Sequence, residues 1–352
     1  MASTEYIKSL VRHTMSGIHA ANYNHSSKKA ALRALAQIEK ERGKLSRTLK
    51  QTADSYAIEV LGGKVYAPWL YVYSAIAGTF KEGWIPDNYY HLVTIPKIQG
   101  EYGKISFLKP LNRKIFNTSI SPDVAFFING EWFDIDFRKI KREVLGHIAF
   151  TENDRVVFKT DRSFQGRGVF IRRKPEFSAT DLEGKGNGTL QKYIEQHPFF
   201  IDLLSGSVAT LRLTTVIDQK GDPDIRSSYL RLGRADDSHV KSDSHVRVPI
   251  YVGSGKMHDH GYMTDWRTVT HHPDSLMTFS KKTIPRFQEC VLAALELHKS
   301  FPMVKAIGWD FAIDSNSRPI LMEWNGYGND IKFSEATQGP CFKDLEWVKL
   351  QV

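Results

Sequence analysis

The chain has 352 residues, enough to bury a large core in more than one lobe. Its composition, 41% hydrophobic and 25% charged, is that of a globular protein, and no apolar run is long enough to span a bilayer. The formal charge of +9 comes with no zinc finger, helix-turn-helix or ribonucleoprotein-type aromatic motif, so it suits an enzyme of anionic substrates and gives no expectation of nucleic acid.

Met1 to Ala20 scatters His, Lys and Arg among apolar residues and lacks the continuous apolar core of a signal peptide. Residues 1 to 60 contain no proline, and Ala30 to Ile38 sets Leu32, Leu35 and Ile38 at helical spacing, which predicts a mainly helical region. Lys28, Lys29, Arg33, Lys40, Arg42, Lys44, Arg47 and Lys50 crowd here, as a phosphate-binding face or as a solvated surface drawn to acidic partners or membrane. Tyr66 to Phe80 reads as a buried helix, with strand as the alternative. From Lys104 onward short apolar runs alternate with turns: 120–129, 155–160, 168–172, 209–218, 227–232 and 246–252. Helices are expected at Leu190 to Gln196 and Pro285 to Lys299, the second with Phe287, Val291, Leu295 and His298 on one face. The two cysteines, Cys290 and Cys341, stand far apart, which points to a reduced compartment and a cytoplasmic enzyme.

Two segments carry chemistry. Gly308-Trp-Asp-Phe-Ala-Ile313 and Pro319-Ile-Leu-Met-Glu-Trp-Asn325 flank a polar turn, the signature of a β-hairpin. With Asp314 to Pro319 as the loop, Ile313 faces Ile320 and Asp310 faces Glu323, with Asn325 on the same face. Directly opposed carboxylates repel, and a hard cation such as Mg²⁺ turns that liability into a site; the plain alternative is a slipped register or a solvent-facing carboxylate. The second segment, Val156 to Ile171, carries Lys159 near a strand end and a loop with Gly166 and Gly168 before the chain returns. Its backbone amides can cradle phosphates, though the segment is neither a Walker A loop nor a dinucleotide fingerprint; a plain hairpin is the alternative.

Together these segments resemble the ATP-grasp superfamily, and within it the group associated with sugar transfer and polysaccharide biosynthesis. Gly83-Trp-Ile-Pro86, Gln196-His-Pro198, Ser207 to Thr215, His272-Pro-Asp274, Ile284-Pro285 and Ile307 to Asp310 carry the closer likeness. The resemblance covers about Lys114 to Asn325 and implies an α+β ATP-grasp fold. Residues 1–105 would then form the helical N-terminal region, 106–200 the N-terminal lobe with glycine-rich loop and hinge, and 201–352 the C-terminal lobe with the metal hairpin.

The resemblance also implies roles. Lys159 and Lys114 would contact the nucleotide, Ser163, Gln165, Gly166 and Gly168 would close over the phosphates, and Gln191, Tyr193 and Ile194 would form the adenine hinge. Glu195 is the nearest acid for the ribose, although Gln196-His197-Pro198 departs from the pattern there. Asp310, Glu323 and Asn325 would hold Mg²⁺, with Mn²⁺ as an alternative. Arg212 lies inside an apolar strand and must have an anionic partner, either a buried ion pair or, as the resemblance implies, the phosphates or the substrate. Arg231 and Arg234 are candidates for a carboxylate or acyl phosphate. Gly308 stands two before Asp310, where some ligases place an arginine, so Arg212 would supply that charge. His258, His260, His271 and His272 invite a zinc reading, but with weak spacing and no cysteine partner. The implied function is an ATP-dependent carboxylate–amine ligase acting through an acyl phosphate, on a uronic-acid or amino-acid carboxylate in surface-glycan synthesis. A kinase on a small-molecule or sugar acceptor, and a nucleotide-binding module without turnover, are the alternatives.

Overall fold

The computed structural model describes residues 2–151, 153–163, 168–204, 206–235 and 244–350, with side chains from residue 17 onward. The expected loop residues Gln165 and Gly166 lie outside the described residues. The chain forms two compact units: Met1–Ile98 with Asp265–Arg267 and Asp330–Val352, and Gln99–Thr264 with Thr268–Asn329.

The first unit is helical. It holds α1 (Ala2–Arg42), α2 (Arg47–Glu59) and α3 (Ala67–Ala77), so Tyr66 to Phe80 is the helix and not the strand. Ala31, Ala34, Leu35 and Ile38 bury one face of α1, spaced for a 3.6-residue period, while Leu32 points outward. Ser46 caps α2 through its side chain, and Gly78 ends α3 at φ 71°. Trp69, Tyr73, Trp84, Tyr89, Tyr90, Phe333 and Phe342 fill the core. Glu335 is fully buried there, its carboxylate accepting the Ile85 and Cys341 N–H groups at 2.8 and 2.7 Å. No helix among the described residues is long and apolar enough to cross a membrane.

The second unit is built on two antiparallel sheets. The first contains β1 (Asp123–Ile128), β2 (Glu131–Phe133), β3 (Lys139–Ile140), β4 (Arg155–Thr160), β5 (Val169–Arg173) and β6 (Gly188–Lys192), in the order β3-β2-β1-β6-β4-β5. The second contains β7 (Thr210–Ile217), β8 (Pro223–Leu232), β9 (Val246–Ile250), β10 (Gly261–Tyr262), β11 (Thr268–Val269), β12 (Ala306–Ile313) and β13 (Pro319–Asn325), in the order β11-β10-β9-β8-β7-β12-β13. Val156, Phe158 and Leu190 face the first core. Leu211, Leu213, Leu230, Val248, Ile307 and Trp309 pack with the helix Phe287–Lys299 to form the second. That helix starts after Pro285, because Arg286 takes φ 53° and acts as its N-cap residue.

The helix expected over Leu190 to Gln196 is not formed. Leu190 to Lys192 belong to β6, a central strand paired with both β1 and β4. Hydrogen bonding on both edges outweighs any local helical preference. Beyond β6 the chain runs extended into the second sheet's hairpin: Ser315 N–H donates to the Glu195 carbonyl at 2.7 Å and His197 N–H to the Ile313 carbonyl at 2.9 Å.

Candidate active site

The β12–β13 hairpin pairs Asp310 with Glu323 and Gly308 with Asn325. Its turn is one residue shorter than expected: Ile313 faces Pro319, and Phe311 faces Leu321. The register shifts between Phe311 and Asp310, which leaves Met322 as the extra residue of a bulge and restores the Asp310–Glu323 pairing. The bulge also turns the Met322 carbonyl toward the first sheet, where Lys159 Nζ donates to it at 3.2 Å.

Four cations gather on the two carboxylates. Arg212 (β7) grips Asp310 with both ends of its fork, Nε–Oδ1 2.6 Å and Nη2–Oδ2 3.0 Å. Arg231 (β8) reaches Asp310 Oδ1 with Nη2 at 2.6 Å. Lys109, in the 3₁₀ turn Lys109–Leu111, stands 3.3 Å from Glu323 Oε2. Lys159 is 7% exposed and adds its field to the pair. Burial alone would raise the Asp310 pKa, but Arg212 and Arg231 outweigh it and hold the carboxyl well below the usual range. Burial likewise works against Glu323, and Lys109 and Lys159 bring it below its ordinary value. The Lys159 ammonium is pushed down by burial, with Glu323 opposing. Among the described residues, four cations stand against three carboxylates, Asp310, Glu323 and the Asp123 that faces Lys159, a net positive balance that suits an anionic ligand.

The remaining expected residues spread around this centre. Asp123 and Gln191 bond on the same face of the first sheet as Lys159, Nε2–Oδ1 2.8 Å. Tyr193 carries the Arg155 guanidinium 3.7 Å from its ring centroid, and Ile194 is half-buried. Glu195 is exposed and accepts from Asn153 Nδ2 at 3.1 Å. Ser163 Oγ donates to the Thr160 carbonyl at 2.7 Å, and Gly168 has no room for a side chain, since a Cβ there would meet Thr160 Oγ1 at 2.1 Å. Gly308 is equally constrained: a Cβ would lie 2.2 Å from Asn329 Oδ1 and 3.0 Å from Arg212 Nη1. The space beside Gly308 is thus taken by Arg212, whose Nη1 donates to Asn329 at 3.2 Å.

Two expected residues stand apart from the carboxylates. Lys114 is exposed on the helix Asn112–Phe116, and Arg234 is bound by Asp274 at 2.6 and 2.8 Å. Lys109 takes the position at Glu323 and was missed; its only sequence signal is a lysine set between Leu108 and Pro110. His272 is fully buried and bonded through Nε2 to the Gly233 carbonyl, a packing role. Among the described residues no group of three or more His, Cys, Asp and Glu side chains is placed to hold a metal.

The donor chemistry of the hairpin does suit magnesium. Asp310, Glu323 and Asn325 present hard oxygens on one face, and Glu323 Oε1 has no partner among the described residues. Arg212 and Arg231 share Asp310 Oδ1, so a cation there replaces or joins their contacts.

The model of the sugar-transfer associated ATP-grasp family matches residues 138–346. No curated protein matches the chain. Among solved structures, the biotin carboxylase domain of the 2-oxoglutarate carboxylase from Hydrogenobacter thermophilus, in complex with MgADP, ADP and bicarbonate, is 12% identical at TM-score 0.46, covering 92% of this chain and 66% of that one. Biotin carboxylase from Campylobacter jejuni is 14% identical at TM-score 0.42, covering 92% and 69%. N5-carboxyaminoimidazole synthetase from Staphylococcus aureus with ADP is 12% identical at TM-score 0.44, covering 72% of this chain but only 54% of that one, so the chain spans about half its length. At these identities and TM-scores the three structures assign no activity to this chain.

Proposed function

The chain belongs to the sugar-transfer associated ATP-grasp family, and on that premise we propose that it is an ATP-dependent carboxylate–amine ligase. The observation that carries the reading is the Asp310–Glu323 pair held under Lys109, Lys159, Arg212 and Arg231, a centre with surplus positive charge facing hard oxygen donors. ATP would lie with its phosphates toward Lys159 and the hairpin, and its base toward Gln191, Tyr193 and Ile194. Asp310, Glu323 and Asn325 would hold Mg²⁺, which when bound neutralises phosphate charge.

The protein's own groups then position and neutralise. A substrate carboxylate oxygen bonds to the γ-phosphorus while the bond to the bridging oxygen breaks, and ADP leaves with that electron pair. Lys109, Lys159 and Arg231 stabilise the charge spread over the transferred group. An amine attacks the acyl phosphate, phosphate leaves, and the nitrogen proton goes to solvent. A uronic-acid or amino-acid carboxylate, in surface-glycan synthesis in the cytoplasm, is the proposed setting.

Incubation with ATP, Mg²⁺ and pools of carboxylates and amines, followed by mass spectrometry, tests this. An amide formed with stoichiometric ADP, and lost in Asp310→Ala and Glu323→Ala, is expected. A phosphorylated alcohol with ADP would make the protein a kinase, and no ADP from any pool would leave a binding module.

A further inference from the structure

We propose that the exposed face of α1 between Ile18 and Lys40 docks the protein on an anionic lipid bilayer surface. The inference concerns the helical first unit and is independent of the reaction carried out by the second. The first fifty residues hold ten Lys and Arg against three Glu, a balance of +7 within a formal charge of +9 for the whole chain. From Gly17 to Ile38 there is no Asp or Glu at all.

The helix divides this stretch into two faces. Ser27, Ala31, Ala34, Leu35 and Ile38 point into the unit's core, whereas Lys28, Lys29, Leu32, Arg33 and Lys40 are exposed. At 3.6 residues per turn those five fall within about 140° of arc and along about 18 Å of helix. Among the described residues, Lys28, Lys29, Arg33 and Lys40 make no ion pair. The neighbouring acids are engaged elsewhere. Glu39 has a side chain only 7% exposed and takes Lys44 at 2.7 Å and Lys50 at 3.5 Å. Asp87 is buried and lies on the core side, where it accepts from Tyr23 Oη at 3.1 Å and faces Lys332 at 3.5 Å.

The chemistry of this face selects its partner. Four unpaired cations repel a second copy of the same face, so self-association does not cover it. The apolar stripe of α1 is buried in the core, so the contact is electrostatic, and anionic headgroups supply the missing negative charge over an extended plane. A helix of 41 residues is a rod about 60 Å long, which sets its cations in line along such a plane. Leu32 and Ile18, 42% and 57% exposed, lie among the cations and fit the apolar layer just beneath the headgroups. A nucleic acid suits the face less well. Tyr23, the one Phe, Tyr or Trp between Gly17 and Lys40, is turned to Asp87 and His91 and offers no stacking surface.

The test is co-sedimentation of the full chain with phosphatidylcholine vesicles, with and without phosphatidylserine. Wild type is expected to bind only the vesicles that carry phosphatidylserine. It should leave them as NaCl rises to about 1 M, where the screening length is about 3 Å. Lys28→Gln, Lys29→Gln and Arg33→Gln combined should weaken the binding about 100-fold, at about fivefold per cation. Lys174→Gln, Lys220→Gln and Lys299→Gln combined remove the same charge from exposed sites of the second unit and should bind like wild type. Equal binding to both kinds of vesicle, no binding to either, no loss in the first triple variant, or equal losses in the two overturns the proposal. Binding of duplex DNA or polyglutamate through this face, with phosphatidylserine vesicles left unbound, overturns the bilayer as the partner. If circular dichroism shows the first triple variant unfolded, Lys29→Gln alone decides: a fivefold loss is expected, and binding equal to wild type overturns the proposal.

Discussion

Arg212 and Asp310 face each other across β7 and β12, and the guanidinium closes on both carboxylate oxygens at 2.6 and 3.0 Å. Both side chains are about 95% buried, so neither charge can turn to water if its partner is lost. Arg212→Met is therefore expected to destabilise the second unit by about 3–5 kcal/mol. Arg212→Lys should recover little, because an ammonium cannot span two oxygens. Urea unfolding followed by tryptophan fluorescence checks this, since Trp309 and Trp324 lie in that unit's core.

Lys109 and Lys114 separate by one measurement. Lys109 touches Glu323 and Lys114 is exposed. Lys109→Met should lower ADP formation about 100-fold, whereas Lys114→Met should leave it near wild type. Steady-state ADP release in both variants decides, and equal losses would put the nucleotide elsewhere.

His298 links stability to acid. Its Nε2–H donates to the Val304 carbonyl at 2.7 Å, and its Nδ1 accepts from Thr215 Oγ1, 2.6 Å away, which in turn accepts from Trp309 Nε1 at 2.7 Å. This chain requires a neutral ring, and burial lowers its pKa to about 4, from 6.5. Between those values the unfolded chain binds the extra proton, so the contribution is complete above pH 6.5 and is lost as pH falls toward 4. The loss amounts to about 3 kcal/mol. His298→Gln should flatten the acid limb of the second unit's unfolding.

Glu335 acts in the opposite sense on the first unit. Burial raises its pKa to about 7, from 4.5, against the two backbone N–H groups it accepts. The folded state keeps its proton while the unfolded chain releases it, so stability falls as pH rises from 4.5 to 7. The fall is about 3 kcal/mol. Melting of wild type and Glu335→Gln between pH 4.5 and 8 reads this as a slope present only in wild type.

Local periodicity was enough to place much of this chain. The spacing of Asp310, Glu323 and Asn325 was enough to put the three on one face of a hairpin, because side chains alternate along a strand and two strands joined by a short turn must pair. Lys159 was legible for the same reason, as a charge near the end of an apolar strand, and the proline-free start read as helix because helix formers recur there at 3.6-residue spacing. Tertiary structure decided the rest. The Met322 bulge restored a pairing that the shorter turn would have slipped, and Leu190 to Lys192 became a strand because two neighbours bond its edges. Lys109 over Lys114, and Arg231 over Arg234, were chosen by which strands and turns converge on Asp310 and Glu323. A lysine in a 3₁₀ turn or an arginine in a strand carries no local mark of the charge it will meet, since that charge arrives from more than 70 residues away.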